Sequence, residues 1–210
     1  MTYKFSPSSL SLLSDCPRCF WLHFNKNIKR PDSIFPSLPS GMDKVLKEYF
    51  DSFIGKGLPP SLKLKNVKLF DDISLLAIWR SNFKGISYTD SSGNVLRGAV
   101  DNILVKSGKF IVLDYKTRGF PLKDDTAAHY QNQLDIYNFL LRKNGYKTHD
   151  YAYLLFYHPS KVNADGTVLF NTDLVKMKID VTNAERILSH ALKVLSNNIP
   201  DAAEECKWCG

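Results

Sequence analysis

Leu96-Arg97-Gly98-Ala99-Val100-Asp101-Asn102-Ile103-Leu104-Val105-Lys106-Ser107-Gly108-Lys109-Phe110-Ile111-Val112-Leu113-Asp114-Tyr115-Lys116-Thr117 is the stretch on which the fold turns. Residues 100–105 and 110–113 are rich in β-branched and aliphatic side chains, and Ser107-Gly108 punctuates them, so the segment reads as a β-hairpin. With Ser107 and Gly108 as the loop, Lys106 faces Lys109, and counting outward sets Asp101 opposite Asp114. Opposed residues bring their Cβ atoms to roughly 4.5–5.5 Å. Two ionised carboxylates ~5 Å apart repel by about 3 kcal/mol at an effective dielectric of ~20, and a divalent cation offsets that repulsion. Lys116 lies two residues past Asp114 and so points to the same face. The competing reading is a structural Asp–Lys pair on a half-solvated strand. Ile111-Val112-Leu113 argue against it, because they place Asp114 where burial is expected and an unpaired charge is costly.

The next segment adds a helix. Pro121 closes a turn, Asp124 or Asp125 is placed to cap, and the pattern runs to Lys143-Asn144-Gly145, where Gly145 supplies the stop. Gln133 and Tyr137 are four residues apart and share one face of it, beside an apolar stripe of Tyr130, Leu134 and Leu141; His129 lies on the Gln133 face. A hard cation such as Mg²⁺ is held by one or two carboxylates, waters and phosphate oxygens. Bound there, it polarises a phosphoryl oxygen and acidifies a coordinated water, while Lys116 can orient that water or meet charge building up in the transition state.

Four cysteines form two Cys-x-x-Cys pairs, Cys16-Pro17-Arg18-Cys19 and Cys206-Lys207-Trp208-Cys209. That spacing suits tetrathiolate ligation of Zn²⁺ or of an iron–sulfur cluster. Disulfides compete, with three connectivities open. No secretory signal or transmembrane run is visible, so a reducing cytoplasmic setting is expected and metal is favoured over disulfide. Such a site would tie the two ends of the chain together.

Gly98-x-x-Asp101, Asp114-x-Lys116-Thr117 and Gln133-x-x-x-Tyr137, in that order and in a hairpin-then-helix context, resemble the PD-(D/E)XK nuclease superfamily, and within it the RecB-like branch that includes the CRISPR-adaptation iron–sulfur exonucleases. The resemblance implies an α/β, restriction-endonuclease-like fold, a central mixed sheet flanked by helices, as one domain over residues 1–210. It implies Asp101, Asp114 and the backbone carbonyl of Tyr115 as ligands of Mg²⁺ or Mn²⁺. Lys116 would be the catalytic lysine, with Gln133 and Tyr137 at the active centre or on the nucleic-acid backbone. The branch usually carries a His or Glu on an early helix, about four residues after a glycine; in Gly41-Met42-Asp43-Lys44-Val45-Leu46-Lys47-Glu48 that position is Val45, and Asp43 or Glu48 is the substitute, Glu48 ahead. Ser6-Pro7-Ser8-Ser9-Leu10 before Cys16-Pro17-Arg18 is similar to the entry of the iron–sulfur members. That makes a [4Fe-4S] cluster on Cys16, Cys19, Cys206 and Cys209 the first expectation and Zn²⁺ the second.

The chain has 210 residues and a net charge of +7, which permits binding to phosphates. Arg97, Lys109, Lys116, Arg118 and Lys123 recur around the candidate site, with Arg97 and Arg118 the expected nucleic-acid contacts. Lys26, Lys29 and Arg30, in a proline-rich stretch reaching Pro39, lie near Phe20, Trp21 and Phe24. These suit either a stacking groove for a single strand or, preferred, packing around the cysteines. The remaining residues read as scaffold: a first helix capped at Ser6-Pro7, a second over residues 41–53, and a short helix opened by Asp71 or Asp72. A strand follows over residues 151–157, with a turn at Asn163-Ala164-Asp165-Gly166, a half-exposed strand over residues 174–179, and a last helix with Thr182-x-x-Glu185 as its capping box. The expected function is metal-dependent DNA hydrolysis in repair, recombination or defence. The expected substrate is single-stranded DNA or DNA with free ends, exonuclease ahead of endonuclease, acting without a membrane and with complex partners open. The alternative is a nuclease-fold module that binds nucleic acid or scaffolds a complex without cleaving.

Overall fold

The structure, a computed structural model, describes residues 2–31 and 37–209. The proline-rich stretch named above falls partly on residues 32–36, outside them. In chain order the elements are β1 (Lys4–Phe5), α1 (Pro7–Asp15), α2 (Pro17–Lys26), α3 (Ser37–Asp51), β2 (Lys68–Leu69), α4 (Ile73–Trp79), β3 (Ile86–Thr89) and β4 (Val95–Gly98). β5 (Asn102–Lys106), β6 (Lys109–Thr117), a 3₁₀ turn (Thr126–Tyr130), α5 (Gln131–Lys143), β7 (Tyr151–Val162), β8 (Val168–Lys178) and α6 (Val181–Ser196) follow.

The hairpin forms as read. Ser107 and Gly108 both take positive φ, 47° and 72°, the conformation a two-residue hairpin loop needs, and Lys106 pairs with Lys109. β6 is the middle strand of a five-stranded mixed sheet ordered β2-β5-β6-β7-β8, antiparallel to β5 and parallel to β7. Its Ile111, Val112 and Leu113 are fully buried, as expected of a strand covered on both faces. Alternation sorts the two faces. Ile111, Leu113 and Tyr115 pack with Leu46 and Phe50 of α3, whereas Val112 packs with Leu134 and Leu140 of α5 and with α6. Each such side chain contributes about 1.5–3 kcal/mol on burial. A smaller sheet, β1-β4-β3, leans on α5 and brings the N-terminal strand parallel to β4.

Local signals at the ends of the elements were partly misread. Ser6 accepts from Ser9 N and Pro7 opens α1, and Asp72 accepts from Leu75 N to cap α4. The cap of α6 is Asp180, whose carboxylate accepts from Thr182 N at 2.9 Å; Thr182 lies inside the helix instead of capping it. Neither Asp124 nor Asp125 caps α5: the chain enters through the 3₁₀ turn, where Thr126 Oγ1 accepts from Lys123 N. α2, which carries Cys19, opens on Pro17, whose fixed φ favours a first helical position.

Candidate active site

Asp114 comes from β6 and Asp101 from the residue just before β5. The β5–β6 ladder ends at Asn102 opposite Leu113. One step further out the carboxylate of Asp101 replaces the backbone as partner, and Tyr115 N donates to its Oδ2 at 2.9 Å. A strand residue's N–H and C=O point to the same edge, so the Tyr115 carbonyl faces the same ladder-free side. Arg80, at the end of α4, donates from Nε to the Asp101 carbonyl at 2.7 Å and grips the Asp51 carboxylate with both terminal nitrogens at 2.7 and 2.9 Å. The backbone at Asp101 is thus held by a fork of fixed geometry. Asn102, fully buried, donates to the Tyr115 hydroxyl at 2.8 Å and so ties the two strands beneath the carboxylates.

Asp114 is 1% exposed. Burial, then the charge of Asp101, push its carboxyl up from 3.8 to about 7, against the opposing pull of Lys116 and Lys47. The Lys116 ammonium ion-pairs with Asp114 Oδ2. It also donates to Gln133 Oε1 at 3.1 Å and lies over the Tyr130 ring. Burial alone would lower the Lys116 amine; Asp114 and Asp101 outweigh it and raise it, so the group is an ammonium. Gln133 Nε2 in turn donates to Asp114 Oδ1 at 3.3 Å and to the Tyr137 hydroxyl at 2.7 Å. The first turns of α5 therefore bridge the acid and the amine with one amide. Two carboxylates and a carbonyl are hard oxygen donors. The buried acid is raised to about 7 even beside the Lys116 and Lys47 ammoniums, and a divalent cation would favour its ionised form further; the residues fit such an ion.

The folded state holds the Asp114 proton more tightly than the unfolded chain, so its contribution to stability is complete below pH ~3.8 and is lost as pH rises through about 7. Without divalent metal, Asp114→Asn is expected to gain stability relative to the native protein as pH rises from about 4 to about 7, by up to ~1.4 kcal/mol per pH unit, and then to level off. Urea midpoints of the two proteins at a series of pH values check this; a difference independent of pH refutes the burial argument.

Gly98, on β4, lets Tyr137 approach: a Cβ there would meet the tyrosine ring at 2.7 and 2.8 Å and Leu140 Cδ1 at 3.0 Å. Gly98→Ala is expected to cost about 1–3 kcal/mol and to loosen the Tyr137–Gln133 bond. A melt combined with a cleavage assay reads both effects, and a variant as stable and active as the native protein would exclude the contact.

Val45 is exposed on α3, and Glu48, also exposed, makes no ion pair among the described residues. α3 reaches the site through Lys47 instead. Its ammonium pairs with Asp43 Oδ2 at 2.7 Å and with Asp101 Oδ1 at 3.1 Å. Lys47 and Arg80 escaped the sequence reading because their partners are 54 and 21 residues away; no local pattern marks either one.

An 860 Å³ cleft opens in front of Gln133 and Tyr137, between the start of α1 (Pro7, Ser8, Ser11), Arg97, and Tyr130 with His129. Arg97 is anchored by donating to the Phe83 carbonyl. Arg118 directly follows β6 and its backbone N–H donates to the Tyr157 carbonyl. Lys109 does not belong to this group: it sits at the hairpin tip, five residues or roughly 16 Å of strand from Asp114. A stacking groove at Phe20 is overturned as well, because Phe20 is fully buried and packs with Phe5 and Phe24.

At the far end of α1, Cys16 and Cys19 meet Cys206 and Cys209, with all four sulfurs within 4.8 Å of one another. The residues brought together there are those the spacing picked out, and the site joins the two ends of the described chain.

A family model of the PD-(D/E)XK nuclease superfamily matches residues 67–210. The chain belongs to that superfamily. Its hairpin, the helix α5 and the final cysteine pair all fall inside the match. Among solved structures, the crystal structure of SSO0001 matches over 100% of this chain and 84% of its own, with a TM-score of 0.50 and 16% identity, a likeness of fold. A search of curated proteins found no match. Among the described residues no helix is long and apolar enough to cross a membrane.

Proposed function

We propose that this member of the PD-(D/E)XK superfamily hydrolyses phosphodiester bonds of DNA with Mg²⁺ or Mn²⁺, acting at ends more readily than internally. The observation that carries the reading is the Asp114–Lys116–Gln133 constellation, joined to the cleft through Gln133, which lines it. Asp101, Asp114 and the Tyr115 carbonyl would hold the ion, which supplies Lewis acidity at a phosphoryl oxygen and a more acidic water. Lys116, fixed at two points, has one donor to spare for a phosphate oxygen or the attacking water, and its charge stands where negative charge grows. Gln133 keeps that amine in place, and Tyr137 keeps Gln133. In the reaction a water oxygen bonds to phosphorus as one P–O ester bond breaks, and the departing oxygen gains a proton. Arg97 and Arg118 supply charge for the flanking phosphates, and a RecB-like role in repair, recombination or defence inside the cytoplasm accords with these parts.

The second reading, a module that binds nucleic acid without cutting it, rests on Lys47. Asp43, Asp101 and Asp114 are already balanced in large part by the Lys47 and Lys116 ammoniums, which lowers the demand for a metal ion. End-labelled and internally labelled single- and double-stranded DNA and RNA, incubated with Mg²⁺, Mn²⁺ or EDTA, separate the two. Metal-dependent release of product from DNA is expected. Binding without cleavage under either metal gives the second reading, and cleavage that persists in EDTA refutes the first.

A further inference from the structure

We propose that the four-thiolate site takes a single tetrahedral ion, foremost Zn²⁺, and not the four-iron cluster that the resemblance to iron–sulfur exonucleases implies. The four sulfurs are gathered closely around one point. Sγ–Sγ separations are 3.5 Å for Cys16–Cys209, 3.5 Å for Cys19–Cys206, 3.2 Å for Cys19–Cys209 and 3.5 Å for Cys206–Cys209, and all four ligand atoms lie within 4.8 Å. An ion with metal–sulfur bonds of ~2.3 Å sets its four sulfurs ~3.8 Å apart. A cubane instead interposes an iron and a shell of sulfide between each thiolate and the centre. That would push every pair well beyond the separations found here, and no room for four irons exists between these sulfurs. A disulfide pair fits no better. A bonded pair needs ~2.04 Å and an exclusive partner, whereas Cys209 Sγ faces three other sulfurs at nearly equal distance.

The surroundings suit a doubly negative tetrathiolate centre. Arg30, which pairs with Asp15 at 3.4 Å, lies near the Cys19 sulfur, and Arg18 spans the site by donating to the carbonyls of Cys209 at 3.3 Å and Pro200 at 3.0 Å. Positive charge from both guanidiniums thus stands beside a centre that four thiolates and one divalent cation leave doubly negative, shared with the carboxylates of Asp15 and Asp201. Ala203 N also donates to Cys16 Sγ at 3.4 Å, the kind of outer bond that orients a metal-bound ligand. Cys16 and Cys19 are buried, and all four positions are filled by protein, which marks a structural site with no open coordination position. Among divalent ions thiolates hold zinc more tightly than iron.

The test is metal content and local geometry, both independent of whether the protein cuts DNA. Native protein is purified under strictly anaerobic conditions from cells supplied with both iron and zinc, and is analysed for metals and acid-labile sulfide. Expected are one zinc per chain, no sulfide, and an X-ray absorption spectrum with one sulfur shell at ~2.3 Å. Exchange with Co²⁺ should produce the strong visible bands of a tetrahedral thiolate site. Iron with matching sulfide, or a metal–metal distance in the spectrum, would overturn the proposal. So would metal-free protein whose thiols are oxidised in pairs.

Discussion

Lys116→Met is expected to lower metal-dependent DNA cleavage by roughly 10²–10³-fold while leaving a folded protein. The amine is held by Asp114 on one side and Gln133 on the other, so its loss removes a preorganised charge and not merely a surface cation. A second consequence separates this role from general damage. Lys116 is among the groups that hold the Asp114 carboxyl down, so without it that carboxyl rises further above about 7. The acid limb of the activity profile, measured at a fixed sub-saturating Mn²⁺ concentration where proton and metal compete for Asp114, should therefore move to higher pH in the variant. Lys116→Arg should not restore activity, since a planar guanidinium cannot occupy the point position of an ammonium between these two partners. Lys109→Met, at the hairpin tip, is the control and should cut normally. Equal activity of Lys116→Met and the native enzyme, or an unshifted acid limb, would remove Lys116 from the mechanism.

The hairpin could be read from sequence because two-residue loops leave the register no freedom: once Ser107-Gly108 is the loop, the pairing follows as far as Asn102 and Leu113. The same counting places Asp101 beside Asp114, though the means differ. Asp101 has left the ladder and uses its carboxylate to satisfy Tyr115 N, a substitution that no periodicity announces. Gln133 and Tyr137 were visible because helical spacing of four is local. Gly98, Lys47 and Arg80 were not, because each acts across elements distant in sequence: a missing Cβ under an aromatic ring, an ammonium from α3, a fork from α4. Thr182 misled for a plainer reason. Asp180 competes for the same orphan donors two residues earlier, and a carboxylate is the stronger acceptor at a helix N-terminus.

Removing the cysteine site should have the largest effect on stability. A structural metal's binding free energy is folding free energy, and here it connects residues 187 to 193 positions apart in the chain. Cys16 joins α1 to α2 and Cys19 lies inside α2, while Cys206 and Cys209 follow α6. Among the described residues, the segment after α6 is joined to α2 chiefly by Trp21 Nε1 donating to the Asn197 carbonyl and by Arg18. Cys206→Ala, or the native protein treated with a strong thiol-compatible chelator, is expected to lose several kcal/mol and about 10 °C or more in melting temperature. The damage should travel. α1 begins as one wall of the cleft, with Pro7, Ser8 and Ser11, and ends at Cys16, so release of the clasp frees the wall that faces Gln133 and Tyr137. Nucleic-acid affinity should fall in the chelated protein even at temperatures where the sheet remains folded, and re-addition of Zn²⁺ should restore both readings. An unchanged melting temperature in both Cys206→Ala and the chelated protein would mean that α1 and α6 are held by their apolar contacts alone, and the clasp would then have no part in shaping the cleft.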